Sequence, residues 1–563
     1  MTHHPGYPPP PGAPAGQPAP PGSHAVSPGS HAVPPGAHPA GTATNSARIV
    51  IGLLLVVPAA IALLLGYAIP TGRTFITSFQ DRPPLAGTES RFVGVENYRQ
   101  VAGEFPGSVG LAVLTIAVPL LGLLVVAPLL AWLAHRAGTA GRRIARLALT
   151  FPVVLFAPAG AALGWYFDRF DPDSALISLL AAVWLSTFGL VCGIGVTLFL
   201  AALRRPDPAA PGVRATRWPA VLTLAGLATI AVLAVGLQGF TYAYLPGDPE
   251  SVMIRLFRNG FQLLASGRAA ADASLLLIVL MLLGIAAWLL VVLTGLRIEL
   301  EPARSGHAPT RPGRVGALVA TCLGALAVLA ITGYGLWPVL SRLGSTGPQG
   351  TPRAGEALVN TWVPTLVSTL IGVGLAAVAA FGIGWLRPLG RWSELLLLPF
   401  APWLFVAVGP LVLAKFEGYA VEMTRLLGPS AVTLVPPVWL VIPALFILTV
   451  LFRGLAYQRP VGAGGSGRAV VRALPMVALL AGATWLVQAE SLLWPLVAGH
   501  ERVTAVTLAY QAAAQYGAAA VGFALLLPIP VILVFAVALG ALQLRYLDRL
   551  AIRVGRAGES PRA

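Results

Sequence analysis

Charge is what this chain has least of. Only 10% of its 563 residues are Asp, Glu, Lys or Arg, against about 25% in a soluble protein. There is one lysine, Lys415, preceded by Val412-Leu413-Ala414, so a G-x-x-x-x-G-K-[ST] phosphate loop is excluded. Only His135, His307 and His500 lie beyond the N-terminal tail, which leaves little material for histidine-dependent catalysis. Neither H-E-x-x-H nor G-x-S-x-G occurs, so the zincin helix and the nucleophile elbow are both missing. Cys192 and Cys322 both fall inside apolar stretches, which argues against a disulfide framework or a cysteine metal site. No segment between apolar runs on the outward side exceeds about 35 residues, too few for a soluble domain of ordinary size. The expectation is a protein that performs no covalent chemistry and carries no cofactor and no metal.

What is abundant is apolar length. Hydrophobic residues make up 56% of the chain, gathered into twelve stretches. A helix needs about 20 mostly apolar residues to cross the hydrocarbon core, and in lipid only helices and closed barrels satisfy their own backbone. These runs are too long and continuous for barrel strands. The predicted fold is an all-α polytopic membrane protein of about twelve transmembrane helices in two pseudo-repeated six-helix bundles. The first six spans are placed at 49–70, 108–134, 146–167, 175–203, 218–237 and 271–296. The second six are placed at 315–338, 358–385, 393–414, 432–452, 473–488 and 518–543.

The net charge is +16, but its position argues against a nucleic-acid partner. With a cytoplasmic N-terminus, the cytoplasmic segments hold 24 Lys/Arg against 6 Asp/Glu, and the opposite side 13 against 15. That asymmetry is the positive-inside pattern. It predicts a multi-pass protein of the cell membrane, in contact with membrane lipid, with both termini cytoplasmic.

Residues 1–47 contain 13 prolines and no charged side chain, a composition that cannot bury enough apolar surface to fold. A seven-residue repeat, PGSHAVS, PGSHAVP, PGAHPAG, spaces His24, His31 and His38 evenly. It reads as a solvated tail or as a weak metal or partner site. Beyond the tail, the two sets of six spans look duplicated. Gln238 and Gln488 open corresponding segments 250 residues apart, and Gly267 and Gly517 repeat that offset. Parallel repeats of this kind are a known transporter plan. The expected organisation is a tail (1–47), a first half (48–296), a basic linker (297–314), a second half (315–545) and a basic C-terminal tail (546–563).

The outward segment after the first span reads Ser78-Phe79-Gln80-Asp81, then Phe92-Val93-Gly94-Val95-Glu96-Asn97-Tyr98. Gly236-Leu237-Gln238-Gly239-Phe240, with Tyr242 and Tyr244, follows the fifth span, and Ala489-Glu490-Ser491-Leu492-Leu493-Trp494-Pro495-Leu496 follows the eleventh. Across residues 48–553 the chain resembles the permeases of binding-protein-dependent sugar importers of the ABC class, first and second subunits fused in that order. The resemblance implies a translocation pore for a sugar or similar polar solute. It also implies cytoplasmic ATPase subunits and an extracytoplasmic solute-binding protein as partners.

In that family a cytoplasmic loop carrying E-A-A-x-x-x-G, and further on I-x-L-P, docks the ATPase. Here the matching loops are short. The first runs from Arg204 and Arg205 to Pro219; the second runs from Arg453 through Gly462 to Pro475, with Ala456 where the glutamate belongs. Their P-D-P-A-A-P and G-A-G-G-S-G cores oppose helix. An alternative therefore stands beside the importer: a non-pumping scaffold or regulator derived from such a permease. A transporter driven by an ion gradient ranks last, because it would place acids mid-span and this chain has almost none. Gln238, Tyr242, Asn360, Gln488, Glu490 and Trp494 are the candidates to line a polar pathway between the halves. A polyol would bind there through hydrogen bonds and stacking on aromatic rings. Interfacial anchoring of Trp and Tyr is the competing role.

Overall fold

A computed structural model describes residues 40–81, 90–204, 217–246, 250–301, 313–345, 353–428, 430–458, 465–499, 502–517 and 521–555. Residues 1–46 and 47–563 are separate units. Of the first, residues 40–46 are described and are helical; the rest of the architecture belongs to the second. The metal or partner reading of His24, His31 and His38 lies outside the described residues.

Among the described residues, nine helices are long and apolar enough to cross a membrane: Ser46–Ser78, Phe105–Arg136, Pro172–Leu203, Trp218–Leu237, Ser266–Thr294, Arg314–Leu340, Ala354–Leu386, Ser466–Ala489 and Phe523–Arg549. The chain is thus an all-α, polytopic membrane protein. The remaining three expected spans differ, and proline explains each. Residues 146–167 fall in a pair, Gly138–Val154 and Pro158–Arg169, bent by 71° where Pro158 opens the second helix. Residues 393–414 begin as a 3-10 helix, Gly390–Trp403, containing Pro399 and Pro402, and Pro410 follows in another 3-10 turn. A proline has no N–H for the α ladder and clashes with the preceding turn. Pro436 and Pro437 keep the last stretch extended until Ile442–Tyr457, whose 16 residues span only about 24 Å at 1.5 Å per residue.

Small residues set the helix crossings. A Cβ on Gly189 would collide with Thr332 Oγ1, and one on Gly335 with the Leu185 carbonyl, so Ala175–Leu203 and Arg314–Leu340 meet backbone to backbone. Trp165 Nε1 donates to the Gly335 carbonyl at 2.7 Å beside that crossing. Gly284 lies equally close to the Ala401 carbonyl. In lipid, where apolar side chains gain little by leaving the tails, such close approach supplies the packing energy. Ala354–Leu386 is the most enclosed span, with 50% of its apolar window buried, and Phe523–Arg549 the least at 11%. The former is therefore central and the latter peripheral.

Two antiparallel ribbons hold the ends. β1 (Gln80–Asp81) pairs with β2 (Arg91–Phe92). Around it the Ser78–Tyr98 motif closes on itself. Asn97 Nδ2 donates to the carbonyls of Ser78 and Gln80, each at 3.0 Å, and Ser78 Oγ and Tyr98 Oη share a hydrogen bond of 2.7 Å. Gly267 sits against Gln80 and Asn97 with no room for a side chain. This motif is a latch that seats the first span against Ser266–Thr294. β3 (Arg297–Leu300) pairs with β4 (Leu550–Arg553), Arg297 opposite Arg553. The linker expected at 297–314 and the tail expected at 546–563 therefore begin as partners in one ribbon. Gln458 borders it, accepting from Leu300 N at 3.3 Å and donating to Leu300 O at 3.2 Å.

Candidate functional site

The sequence candidates divide into backbone clamps and buried polar groups. Gln238, just past the helix Arg217–Leu237, spends its whole amide on backbone. Nε2 donates to Ala234 O and Phe405 O, each at 2.8 Å, and Oε1 accepts from Ala407 N at 2.9 Å. It ties the first half to the irregular segment after Trp403. Asn360 is buried and donates to Val503 O at 3.1 Å. Next to it, Thr361 Oγ1 accepts from Ala505 N at 2.8 Å. Trp494 is buried against Tyr419, its Nε1 donating to Thr433 O at 3.2 Å. These three hold turns in place.

Tyr242, Gln488 and Glu490 have a different character. The helix Ser466–Ala489 ends at Glu490, and the chain is non-helical until Leu493–Ala498 begins. At that break Glu490 is 2% exposed, and its Oε2 has no hydrogen-bond partner among the described residues. Both amide atoms of Gln488 are buried and equally unpartnered there. Tyr242 and Tyr510 lie within electrostatic reach of Glu490. Tyr242 Oη shares a 2.7 Å hydrogen bond with Ser186 Oγ. Tyr510 Oη donates to Thr241 O at 3.2 Å, and its ring meets Tyr244 at 5.8 Å. Ser186, Tyr242 and Tyr244 lie before residue 297 and Glu490 and Tyr510 after residue 314, so the cluster joins elements far apart in the sequence. Burial pushes the Glu490 carboxyl well above the ordinary carboxylate range. The Tyr242 hydroxyl is pushed up to about 12, chiefly by burial and partly by Glu490, with the Ser186 hydrogen bond opposing.

Beside this cluster is a shallow cleft with room for about one water molecule, whose lining includes Trp165, Tyr166, Phe170, Ser178, Tyr242 and Pro246. Tyr242 is common to both.

Sequence reasoning missed several polar groups. Ser186 and Tyr510 carry no signal as single hydroxyl residues in apolar or Ala-rich helices. Arg255 is buried and ion-paired with the buried Asp272, with Glu104 at 3.3 Å on its other side. Lys415 is buried: its Nζ donates to Pro437 O at 2.8 Å and lies 4.7 Å from the centre of the Tyr67 ring. Tyr67 Oη in turn donates to Leu440 O at 2.8 Å.

The coupling candidates lie at another cluster. Arg204 pairs with Glu301 at 2.7 Å and donates to the Asp548 carbonyl. Arg553 pairs with Glu301 and donates to Arg204 O at 2.5 Å. Arg453 pairs with Glu394 at 3.1 Å. Pro475 lies inside the helix Ser466–Ala489 rather than ahead of it. Arg205 and Gly462 lie outside the described residues. No group of three or more metal-ligating side chains occurs among the described residues.

No family model matches the chain, and no match was found among curated proteins or solved structures.

Proposed function

We propose that this protein is the transmembrane permease of an ABC importer for a sugar or similar polar solute. It would be driven by separate ATPase subunits and fed by an external solute-binding protein. The observation that carries the reading is the cluster at Glu490: buried, unpartnered polar groups just past the end of a spanning helix, facing residues from before the linker. Transporters built from repeats place solute sites at the interface of the repeats, and alternating access rocks one half against the other around them. Element order supports the two-half plan. In each half a span (Arg217–Leu237 or Ser466–Ala489) is followed by short helices and then the last span. The Ser78–Tyr98 latch and the likeness of the Glu490 segment to the family's pattern agree with it. A twelve-span arrangement counts the bent pair, the segment 393–414 and Ile442–Tyr457 as the remaining three crossings.

Tyr242, Gln488 and Glu490 are the residues assigned to the solute pathway. Gln238, Asn360 and Trp494 are assigned to holding its walls. The test is uptake of a panel of labelled sugars and polyols by cells lacking the native gene and carrying wild type, Gln488→Ala or Glu490→Ala. Loss of uptake of one solute in both variants, at normal membrane levels, supports the pathway. Unchanged uptake removes both residues from it.

The second reading, a scaffold or regulator that no longer pumps, draws on a specific observation. Arg204 and Arg453, at the starts of the two coupling segments, are engaged with Glu301 and Glu394 inside the protein.

A further inference from the structure

We propose that Glu490 is a proton-binding site at the junction of the two halves, holding its carboxyl group in the neutral acid form in this conformation. The grounds are geometric. The residue is 2% exposed, so bulk solvent has little access to solvate a charge on it. None of the ion pairs of the described residues includes it. Its Oε2 accepts no hydrogen bond from the described residues. An isolated buried carboxylate lacking both solvent and a counter-ion neutralises rather than bear the desolvation cost.

Among the described residues, the titratable groups facing it are hydroxyls. They are Tyr242, which follows the helix Arg217–Leu237, and Tyr510, on the helix Ala505–Tyr516. Tyr244 stands behind Tyr510, and Ser186 on Ala175–Leu203 holds Tyr242 in place. All four are neutral at physiological pH, so none supplies the positive charge a carboxylate needs. Gln488, on the acid's own helix, adds a neutral amide.

The consequence is a coupling between protonation and packing of the halves. With the junction closed, the carboxyl keeps its proton. Separation of Tyr242 from Tyr510 would admit water, and the O–H bond of Glu490 could then break, the proton passing to a water molecule and the charge being solvated. This deepens the pathway reading by naming what one of its residues holds, and it rests on that reading only for the claim that the junction opens.

The sign of the pH effect follows from linkage. The folded form keeps the proton to higher pH than the unfolded chain does. Stability is therefore full below the unfolded glutamate value of about 4.3, and the folded-to-unfolded ratio falls roughly tenfold per pH unit from there up to the folded value.

The experiment is infrared spectroscopy of the purified full-length protein in lipid nanodiscs, titrated with pH, comparing wild type with Glu490→Gln. The expected result is a protonated-carboxyl C=O band at neutral pH in the wild type that E490Q lacks, together with a thermal-melting pH slope that E490Q loses. Identical carboxyl bands in the two proteins overturn the proposal. So does failure of both E490Q and Glu490→Leu to fold, since neutral replacements of a neutral acid should be accommodated. The band reports on the acid alone. A band present with no solute transported would sink the importer reading and leave the proton site standing.

Discussion

Removing Asp272 isolates a buried cation, and the cost can be worked from the structure. Arg255 has a side chain 2% exposed, and its partner Asp272 is fully buried on the helix Ser266–Thr294. The other acid near it, Glu104, is 3.3 Å away but 69% exposed, so water screens most of its attraction. Asn259 donates to Asp272 Oδ2 at 3.4 Å and would lose that acceptor. Asp272→Ala leaves the guanidinium desolvated with one screened partner, a change that costs about 3–5 kcal/mol when a buried pair is broken. For a chain of this length the unfolding entropy is on the order of 1 kcal/mol/K, so melting should fall by roughly 3–5 °C. Arg255→Leu alone should cost a similar amount by stranding the carboxylate. The double variant Arg255→Leu/Asp272→Leu removes both charges and should recover most of the loss, because apolar replacements of buried pairs are often neutral. Tryptophan fluorescence of the purified protein during a thermal ramp reads all four members of the cycle. Single variants that melt with the wild type, or a double variant that loses the sum of the two singles, would refute the reasoning.

Three further outcomes follow from the same geometry. Asn97→Ala removes the hydrogen bonds to a buried carbonyl, Ser78 O, and a part-buried one, Gln80 O, at the first-span latch and should destabilise by about 1–3 kcal/mol, read as faster cleavage after Phe79 or Phe92 in limited chymotryptic proteolysis. Gly454→Val drives a side chain into the Ile298 carbonyl of β3. It should open the β3–β4 ribbon, measured as loss of a disulfide engineered between Ile298→Cys and Ile552→Cys, whereas the exposed Gly467→Val should leave that crosslink intact. Lys415→Met keeps the apolar stem over Tyr67 and removes a buried charge that has a carbonyl and a ring but no ion pair among the described residues. Its melting should be unchanged or raised, and a loss of several degrees would mean that the ammonium is structurally required.

Sequence periodicity and composition made the membrane class and most spans legible, because apolar length is a property of consecutive residues. Nine of the twelve expected stretches coincide with long helices. The three that differ carry prolines whose effect on a long apolar run depends on what neighbouring helices can repair. Pro475 and Pro364 are accommodated inside continuous α-helices, whereas Pro399 and Pro402 leave a 3-10 helix. The site was legible only in part. Glu490 and Tyr242 stood out as polar residues at span ends, and the structure brings both to one junction. Gln238, Asn360 and Trp494 stood out equally, yet they hold backbone, since nothing local says whether an amide will find a carbonyl from 167 residues away. Ser186 and Tyr510 were invisible because their meaning lies entirely in long-range pairing. The β3–β4 ribbon was hidden for the same reason: two basic stretches some 250 residues apart look like separate tails until they pair.

The importer reading is tested most directly by purifying the tagged protein from its native membrane in mild detergent and identifying by mass spectrometry what accompanies it. The predicted result is a stoichiometric ATPase together with an extracytoplasmic solute-binding protein, which would show that the shortened loops around Arg204 and Arg453 still dock a motor. Recovery of the chain with neither, repeated under crosslinking, would contradict the importer and leave the scaffold.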